Sequence, residues 1–183
     1  MADIQRCRWV NLKNDVYVKY HDEEWGRVVN DDHKLYELLI LESFQAGLSW
    51  ECILNKRENF RAAFDNFDID KIIGYDENKI SELMNDSGIV RNRRKIIAAV
   101  KNSIIFKSIQ KEFGSFNNYI LSFTKGDVIY EDYTLRTTSP LSDEISSDLK
   151  NRGMTFVGST IIYSYLQAIG VIYAHENSCC LYK

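Results

Sequence analysis

The chain has 183 residues, of which 45% are hydrophobic, and its formal net charge is −3. This length fits one domain over 1–183 with a substantial core, and no apolar run approaches the roughly 20 residues of a membrane span. The polar start lacks the apolar stretch of a signal peptide, so we expect a cytoplasmic protein with no membrane partner. The net charge argues against a surface that is basic on every side, as in proteins that coat nucleic acid.

A single proline and a repeated three-to-four periodicity predict an all-α fold, a compact bundle of many short helices. The helices are expected near 15–21, 32–44, 49–64, 69–74, 77–85, 92–110, 115–123, 142–152 and 159–169. Ser159 is predicted to cap the last helix, and Gly153 and Gly170 are predicted to end the last two. The long irregular stretch falls at about 124–139. Its alternating hydrophobic residues predict a short extended piece: Val128, Tyr130 and Tyr133.

Aromatic residues cluster within the first fifty positions. Most aromatic side chains belong to a core, and that is the default interpretation of each ring. A pocket that receives a flat, electron-poor base would nevertheless need such rings near a carboxylate. The rings concerned are Trp9, Tyr17, Tyr20, Trp25 and Trp50.

The helix near 32–44 carries a carboxylate, Glu42, at the end of an almost continuous hydrocarbon run. Glu42 follows three leucines by three, four and seven positions and therefore shares their face on the core side of the helix. Burial of an unpaired carboxylate costs several kcal/mol or raises its pKa, so such a residue needs a partner, a wet cleft or a function. Glu42 is thus the first candidate for chemistry. The alternative is a helix-end glutamate that turns to solvent or caps a neighbouring backbone.

The segment 85–96 joins two predicted helices through Gly88, which permits a tight turn. Free amides at the start of the second helix can donate to an anion. Cations in this first turn oppose the helix macrodipole, so a docked phosphate would explain them. The alternative is a solvated basic face without a ligand. The cations are Arg91, Arg93, Arg94 and Lys95.

Two residues near each end of the chain together form a complete tetrahedral zinc set: Cys7, His21, His175 and Cys179. Four protein ligands leave no open position for water, so such a site would be structural and would join the two chain ends. The alternative is four unrelated residues, because cysteines are commonly buried as small hydrophobic side chains. A disulfide framework is disfavoured, since Cys179 and Cys180 are adjacent. Cys52 and Cys180 are interpreted as packing residues, with Cys180 as a substitute ligand for Cys179.

Short motifs follow one another along nearly the whole chain. They are 7–9 (CRW), 20–26 (YHDEEWG), 41–42 (LE), 45–50 (QAGLSW), 56–61 (KRENFR), 87–91 (SGIVR) and 156–160 (FVGST), followed by His175 and Cys179. In this order they resemble the DNA-3-methyladenine glycosylase I family, within the helix-hairpin-helix glycosylase superfamily. The resemblance implies one structural zinc per chain on Cys7, His21, His175 and Cys179. It also implies a helix-hairpin-helix element, about 77–105, that holds the DNA backbone.

The same resemblance implies roles for single residues. Glu42 would be the catalytic pocket carboxylate, Tyr20 and Trp50 would stack on the excised base, and Trp9 with Tyr17 would complete the wall. The loop that enters the gap left by the flipped nucleotide matches Gly47 and Leu48. The DNA-binding hairpin residues would be Gly88, Arg91, Arg93, Arg94 and Lys95.

Two features depart from the wider pattern. Ser43-Phe44 follows Glu42 where a glycine or a smaller or polar pair is more usual, so we expect the far wall of the pocket to differ. The superfamily generally uses a catalytic aspartate, which this family lacks, and we assign none.

The implied reaction is hydrolysis of the N-glycosidic bond of 3-methyladenine in double-stranded DNA, which releases the free methylated base and leaves an abasic site. An alkylated base is positively charged and leaves readily, so base extrusion and recognition can supply much of the acceleration. Glu42 is expected to accept hydrogen bonds from the base and to favour its charge. We expect a monomer that is associated with the nucleoid when it is bound to DNA.

Two rival functions remain open at this point. A non-enzymatic, zinc-stabilised DNA-binding module would keep the hairpin and the metal, but it has no use for a carboxylate inside an aromatic pocket. A zinc hydrolase with Glu42 as general base would need an open metal position, so four protein ligands would exclude it.

Overall fold

The structure, a computed structural model, describes residues 4–131 and 136–183. In chain order its elements are α1 (Asp15–Glu23), α2 (Asp32–Gln45), α3 (Trp50–Leu54), α4 (Arg57–Ala63), a tight turn (Asp65–Phe67), α5 (Ile69–Ile73), α6 (Glu77–Asn85), α7 (Arg93–Phe113), α8 (Phe116–Thr124), β1 (Ile129–Tyr130), α9 (Pro140–Asn151), α10 (Ser159–Ala168) and β2 (Ile172–Tyr173). The predicted all-α class is confirmed. No helix within the described residues is long and apolar enough to cross a membrane.

The helix predicted near 49–64 is wrong as one element, because the chain forms two. The amide of Asn55 donates to Glu51 and that of Lys56 donates to Ile53, each at 3.0 Å, so the end of α3 tightens before α4 begins. The hydrophobic periodicity continues across this break and therefore could not reveal it.

The late helices also begin elsewhere than predicted. α9 starts at Pro140 behind the cap Ser139, two residues earlier than expected, because a proline suits the first helical turn. Ser159 is the first residue of α10 and not its cap. Its hydroxyl bonds instead to Ser142 and Asp143 of α9, which ties the two helices together.

Gly153 and Gly170 end α9 and α10 as predicted, with φ values of +102° and +74°. At Gly170 a side chain is also excluded by space, since a Cβ there would lie 2.3 Å from the carbonyl carbon of Arg27. The glycine therefore lets the chain turn closely past the end of α1 and on into β2.

The two strands pair in parallel, with Ile129 opposite Ile172 and Tyr130 opposite Tyr173. The predicted extended piece is thus confirmed at Tyr130, while Tyr133 lies outside the described residues. The pairing fixes the segment after α10 and so directs the chain towards His175.

α2 is the central helix of the bundle. Every residue from 35 to 44 is buried, so the helix is surrounded on all sides, and it contacts α3, α7, α8 and α10. The phenol of Tyr165 on α10 donates to the carbonyl of Leu35 at 3.1 Å. This packing fixes the axis of α2 and points its C-terminal turn, which carries Glu42, towards α1 and α3.

Candidate functional site

An aromatic cleft opens where α1, the end of α2, the start of α3 and α10 meet. Its empty space, open mouth included, amounts to about 450 Å³. The structure brings together in this cleft the five residues to which the resemblance gives a role in a base pocket, namely Glu42 and the rings of Trp9, Tyr17, Tyr20 and Trp50. The lining residues are Trp9, Tyr17, Tyr20, Trp25, Glu42, Gln45, Trp50, Ser164 and Gln167.

Glu42 is 2% exposed, and its Oε2 atom has no hydrogen-bond partner among the described residues. Burial raises the pKa of its carboxyl group well above 4.5. The predicted location on the core side of the helix is confirmed, and the helix end does not turn to solvent. A buried carboxylate without a protein partner is costly, which is typical of a group that awaits a ligand.

Two further buried polar atoms of the cleft find no hydrogen-bond partner in the described part of the chain: Oε1 of Gln45 and Nε1 of Trp50. The hydroxyl of Ser49 caps α3 by accepting from the amide of Cys52 at 3.2 Å, which places Trp50 on the first turn. The ring of Trp50 lies 5.4 Å from that of Tyr20, at 50°. The cleft therefore combines stacking faces with unpaired polar atoms in its wall.

The polar side chains on α10 were missed by the sequence reasoning. Ser164 and Gln167 stand three residues apart in the mainly apolar part of α10 that follows Thr160, and both line the cleft. That spacing puts them on one face of the helix. A polar pair within an apolar stripe was therefore the sequence pattern that could have predicted them as pocket residues. Gln45 lay within a quoted motif but received no role.

The expectation that Ser43-Phe44 alters the far wall is wrong, because neither residue lines the cleft. The hydroxyl of Ser43 donates to the carbonyl of Leu39 at 2.9 Å, one helical turn back. The ring of Phe44 packs on Phe60 and Phe64, with centroids 4.8 Å and 5.7 Å away. Both side chains belong to the core behind the helix.

The four predicted metal ligands form one buried group whose donor atoms all lie within 4.8 Å of one another. Three sulfur–nitrogen pairs are 3.5 Å apart: Cys7 Sγ to His175 Nδ1, Cys179 Sγ to His175 Nδ1, and Cys179 Sγ to His21 Nε2. A tetrahedral zinc with bonds of about 2.3 Å to sulfur and 2.0 Å to nitrogen would hold such pairs about 3.5 Å apart. Cys180 is exposed and lies outside the group.

The surroundings of this group also suit a metal ion. Asp22 Oδ1 lies 2.8 Å from His21 Nδ1, so a carboxylate orients the ring whose other nitrogen faces the cluster. Burial lowers the pKa of His175 to about 4, which keeps that imidazole neutral, the form that binds metals. Burial raises the pKa of Cys7 to about 12, so a metal would have to displace the thiol proton.

The metal group and the aromatic cleft share a wall. Trp25 lies 4.7 Å from His175 and Trp9 lies 5.3 Å from His21, both edge to face. The two indoles also contact each other at 4.9 Å. The position of two pocket rings is therefore set partly by two candidate ligands.

The hairpin between α6 and α7 turns tightly at Gly88, whose amide donates to Asp86 Oδ1 at 2.7 Å. A Cβ at Gly88 would come within 2.9 Å of that oxygen. The ammonium of Lys56 donates to the carbonyls of Ser87 and Gly88, both at 3.1 Å, and so holds the turn from α4.

The basic residues of the hairpin divide into two kinds. Arg91, Arg93 and Arg94 are exposed, and Arg93 pairs with Glu77 of α6. Lys95 needs a correction, because it is only 6% exposed and its ammonium is bonded inside the protein. It donates to the carbonyls of Phe44 at 2.8 Å and Ala46 at 2.5 Å. Three arginines, and not Lys95, thus present charge to solvent.

Comparison with known proteins gives consistent results over the full length. A model of the methyladenine glycosylase family matches residues 9–182. The chain is similar to DNA-3-methyladenine glycosylase 1 of Escherichia coli (strain K12), with 39% identity over 183 residues that cover 98% of this chain and 97% of the relative.

Solved structures share the fold as well. A crystal structure of 3-methyladenine DNA glycosylase I superposes with a TM-score of 0.93 at 38% identity and covers 98% of this chain and 100% of its own. A tyrosine-to-phenylalanine variant of such an enzyme, in complex with 3-methyladenine, superposes with a TM-score of 0.88 at 34% identity and covers 92% of each chain.

Proposed function

Because the chain belongs to the methyladenine glycosylase family, we propose that its aromatic cleft receives 3-methyladenine from alkylated DNA. The reaction is hydrolysis of the N-glycosidic bond, which releases the free base and leaves an abasic site. The observation that carries this assignment is the buried, unpartnered carboxylate of Glu42 inside an aromatic cleft.

The charge of the lesion explains how such a cleft can distinguish 3-methyladenine from undamaged adenine. Methylation leaves the base of the nucleotide positively charged, whereas adenine is neutral. A buried carboxylate attracts a cation strongly because little solvent screens the interaction. The rings of Tyr20 and Trp50 add cation–π stacking. Neutral adenine gains less from both interactions, so the undamaged base stays in the duplex.

The same charge reduces the chemical work that the protein must do. A cationic base is a good leaving group and needs little protonation, so binding it in an extruded geometry supplies much of the acceleration. Glu42 also offsets the charge that develops on the sugar as the bond breaks. No catalytic aspartate is assigned.

Zinc is the metal that best fits the buried group of Cys7, His21, His175 and Cys179, because two thiolates and two imidazoles are its usual structural ligands. The sulfur–nitrogen separations of 3.5 Å suit its tetrahedral geometry. The metal would connect the two ends of the chain and support Trp9 and Trp25. A complete set of protein ligands leaves no position for a reacting water, which argues against a zinc hydrolase.

DNA binding is assigned to two surfaces. The exposed arginines of the hairpin and the free amides at the start of α7 are suited to backbone phosphates. Leu48, which is 42% exposed on the loop after α2, is suited to fill the gap left by an extruded base. The substrate is double-stranded DNA bound by a monomer, within the nucleoid. A DNA-binding module without enzymatic activity would leave Glu42 unexplained.

The direct test is release of methylated bases from alkylated duplex DNA by purified protein, with the free base identified by chromatography. We expect 3-methyladenine to appear in the soluble fraction and abasic sites to accumulate in equal number. Binding of the same DNA without release of any base would favour the non-enzymatic module.

Replacing Arg91, Arg93 and Arg94 by glutamine should weaken binding to damaged and undamaged duplexes alike. Phosphate contacts carry no base information, and three of them contribute a slope of about −2.7 in a plot of log affinity against log salt. Titrations at several salt concentrations should show that slope reduced. An unchanged affinity at every salt concentration would mean that the basic run is only a solvated face.

Trp50→Ala should weaken binding of free 3-methyladenine by about 1–3 kcal/mol, the usual contribution of one stacked ring. Affinity for undamaged duplex should change little, because that base remains in the helix. Calorimetry with the free base measures the first effect and a gel-shift titration the second. Equal losses in both assays would show that Trp50 contacts DNA outside the pocket.

A further inference from the structure

The C-terminal end of α2 has no basic residue in its last turn. A helix end exposes carbonyl groups and a partial negative charge, which a nearby cation or a backbone cap normally satisfies. The carbonyl of Gln45 accepts from the amide of Leu48 at 2.6 Å. The carbonyls on either side of it, those of Phe44 and Ala46, accept from the ammonium of Lys95 on α7.

Lys95 is itself in an unusual place. It occupies the third position of α7, where a positive charge opposes the helix macrodipole. It is also desolvated, and the ring of Phe156 lies 5.9 Å from its ammonium. The two carbonyl bonds and the negative end of α2 are what offset these costs. A phosphate is therefore not needed to explain this lysine, in contrast to the three exposed arginines beside it.

The two carbonyls that accept from Lys95 lie at the point where α2 ends and the loop Gly47-Leu48 begins. Glu42 is one turn before Ala46, and Gln45 lines the cleft. After Ala46 the chain turns through Gly47, whose φ is +80°, to the exposed Leu48. On the other side, Lys95 follows directly on Arg93 and Arg94, at the solvent-exposed start of α7.

We propose that Lys95 is a positioning residue that joins the DNA-binding hairpin to the loop Gly47-Leu48 and to the turn that carries Glu42. Its ammonium fixes where the loop leaves α2 relative to α7. When the hairpin holds a duplex, Leu48 therefore contacts the DNA at a fixed position relative to the hairpin. Glu42 then lies behind the extruded base. This inference rests on the proposed function, and it gives Lys95 a role distinct from phosphate binding.

The test compares Lys95→Met with Lys111→Met, the same substitution at an exposed lysine near the other end of the same helix, outside the DNA-binding hairpin. Single-turnover excision at saturating alkylated duplex should fall about 10- to 100-fold for Lys95→Met, because a displacement near 1 Å at a reacting centre costs that much. Affinity for undamaged duplex should stay within about twofold, since the three arginines remain. Lys111→Met should match the wild type in both assays.

A second readout follows the loop itself. In a duplex with 2-aminopurine beside the lesion, wild-type protein should raise the fluorescence as the base leaves the stack, and Lys95→Met should reduce that rise. If Lys95→Met does not fold, Lys95→Arg is measured instead. Its bulkier guanidinium should lower the saturated excision rate without changing duplex affinity.

Three outcomes overturn the inference. One is an excision rate of Lys95→Met at saturating DNA equal to that of Lys111→Met. Another is a loss of undamaged-duplex affinity and of salt dependence with a normal saturated rate, which would make Lys95 a phosphate contact. The third is a 2-aminopurine fluorescence rise with Lys95→Met that equals the rise with wild-type protein. Failure of the wild-type protein to release methylated base would instead overturn the proposed function.

Discussion

Glu42→Gln is expected to remove most excision of 3-methyladenine while making the protein more stable. The amide has nearly the same shape, so the fold should survive, but the charge that favours a cationic base is lost. Loss of one such electrostatic contact in a buried site typically lowers the rate about 100- to 1,000-fold. Single-turnover excision measures this loss. The free base is neutral once it is excised, so calorimetric binding of the free base measures instead the hydrogen bonds that the base donates to Glu42. Affinity for undamaged duplex should change little.

The gain in stability has a definite dependence on pH. Burial raises the pKa of Glu42 in the folded protein above its value in the unfolded chain, so the folded state holds the proton more tightly. Stability is therefore lost as the pH rises from the unfolded pKa through the folded pKa. Glutamine does not ionise, so the excess in Tm of Glu42→Gln over wild type should be small at pH 4 and larger at pH 8.

Activity should depend on pH in the opposite direction. The anionic form of Glu42 attracts the lesion, so kcat/KM of the wild type should fall as the pH drops through the raised pKa, at values above 4.5. Glu82→Gln, at an exposed glutamate that pairs with Lys79, is the matched control and should leave rate, Tm and pH profile unchanged. Wild-type excision and base affinity in Glu42→Gln would show that the carboxylate is structural.

The second large effect is expected at the metal group. Cys179→Ser should lower the zinc content from about one per chain towards zero, because serine is a poor zinc ligand. Loss of a structural metal costs about 4–5 kcal/mol, which for a chain of this size lowers Tm by about 10–15 °C. Elemental analysis and thermal unfolding measure the two effects. The specific activity of the fraction that stays folded should be affected less than the thermal stability.

The neighbouring cysteine supplies the control. Cys180 is exposed and lies outside the group, so Cys180→Ser should keep both the metal and the wild-type Tm. Equal zinc loss in the two variants would revive Cys180 as a substitute ligand. A fully folded wild-type protein without zinc would refute the assignment of the metal.

The sequence revealed those parts of the site that depend on residue type and local periodicity. Glu42 could be placed on a buried face because three leucines share its helical period, and the four metal candidates could be selected by their chemistry. Assembly of the cleft could not be derived from local pattern, since Trp9 and Ser164 meet only through tertiary packing. The family resemblance supplied that information for the rings but not for α10.

Lys95 and Ser43 show that a local sequence pattern does not predict the direction in which a single side chain points. A basic run indicates charge on a segment, but not which member of the run turns inward, and Lys95 turns inward to a helix end more than forty positions away in sequence. Ser43 looked like a change in the pocket because it follows Glu42, yet one residue along a helix rotates a side chain by about 100°. It therefore faces away from the cleft.

The metal group also has a consequence for folding kinetics. Cys7 and His175 are 168 positions apart, so the cluster closes a very long loop of the chain. Such closure costs about 4–5 kcal/mol of chain entropy, which the intervening helices must offset by packing first. The ligands therefore converge late, on a chain that is already largely folded. Trp9 and Trp25 would reach their final positions in that same step, so a folding intermediate could contain the helical bundle and still lack a finished base pocket.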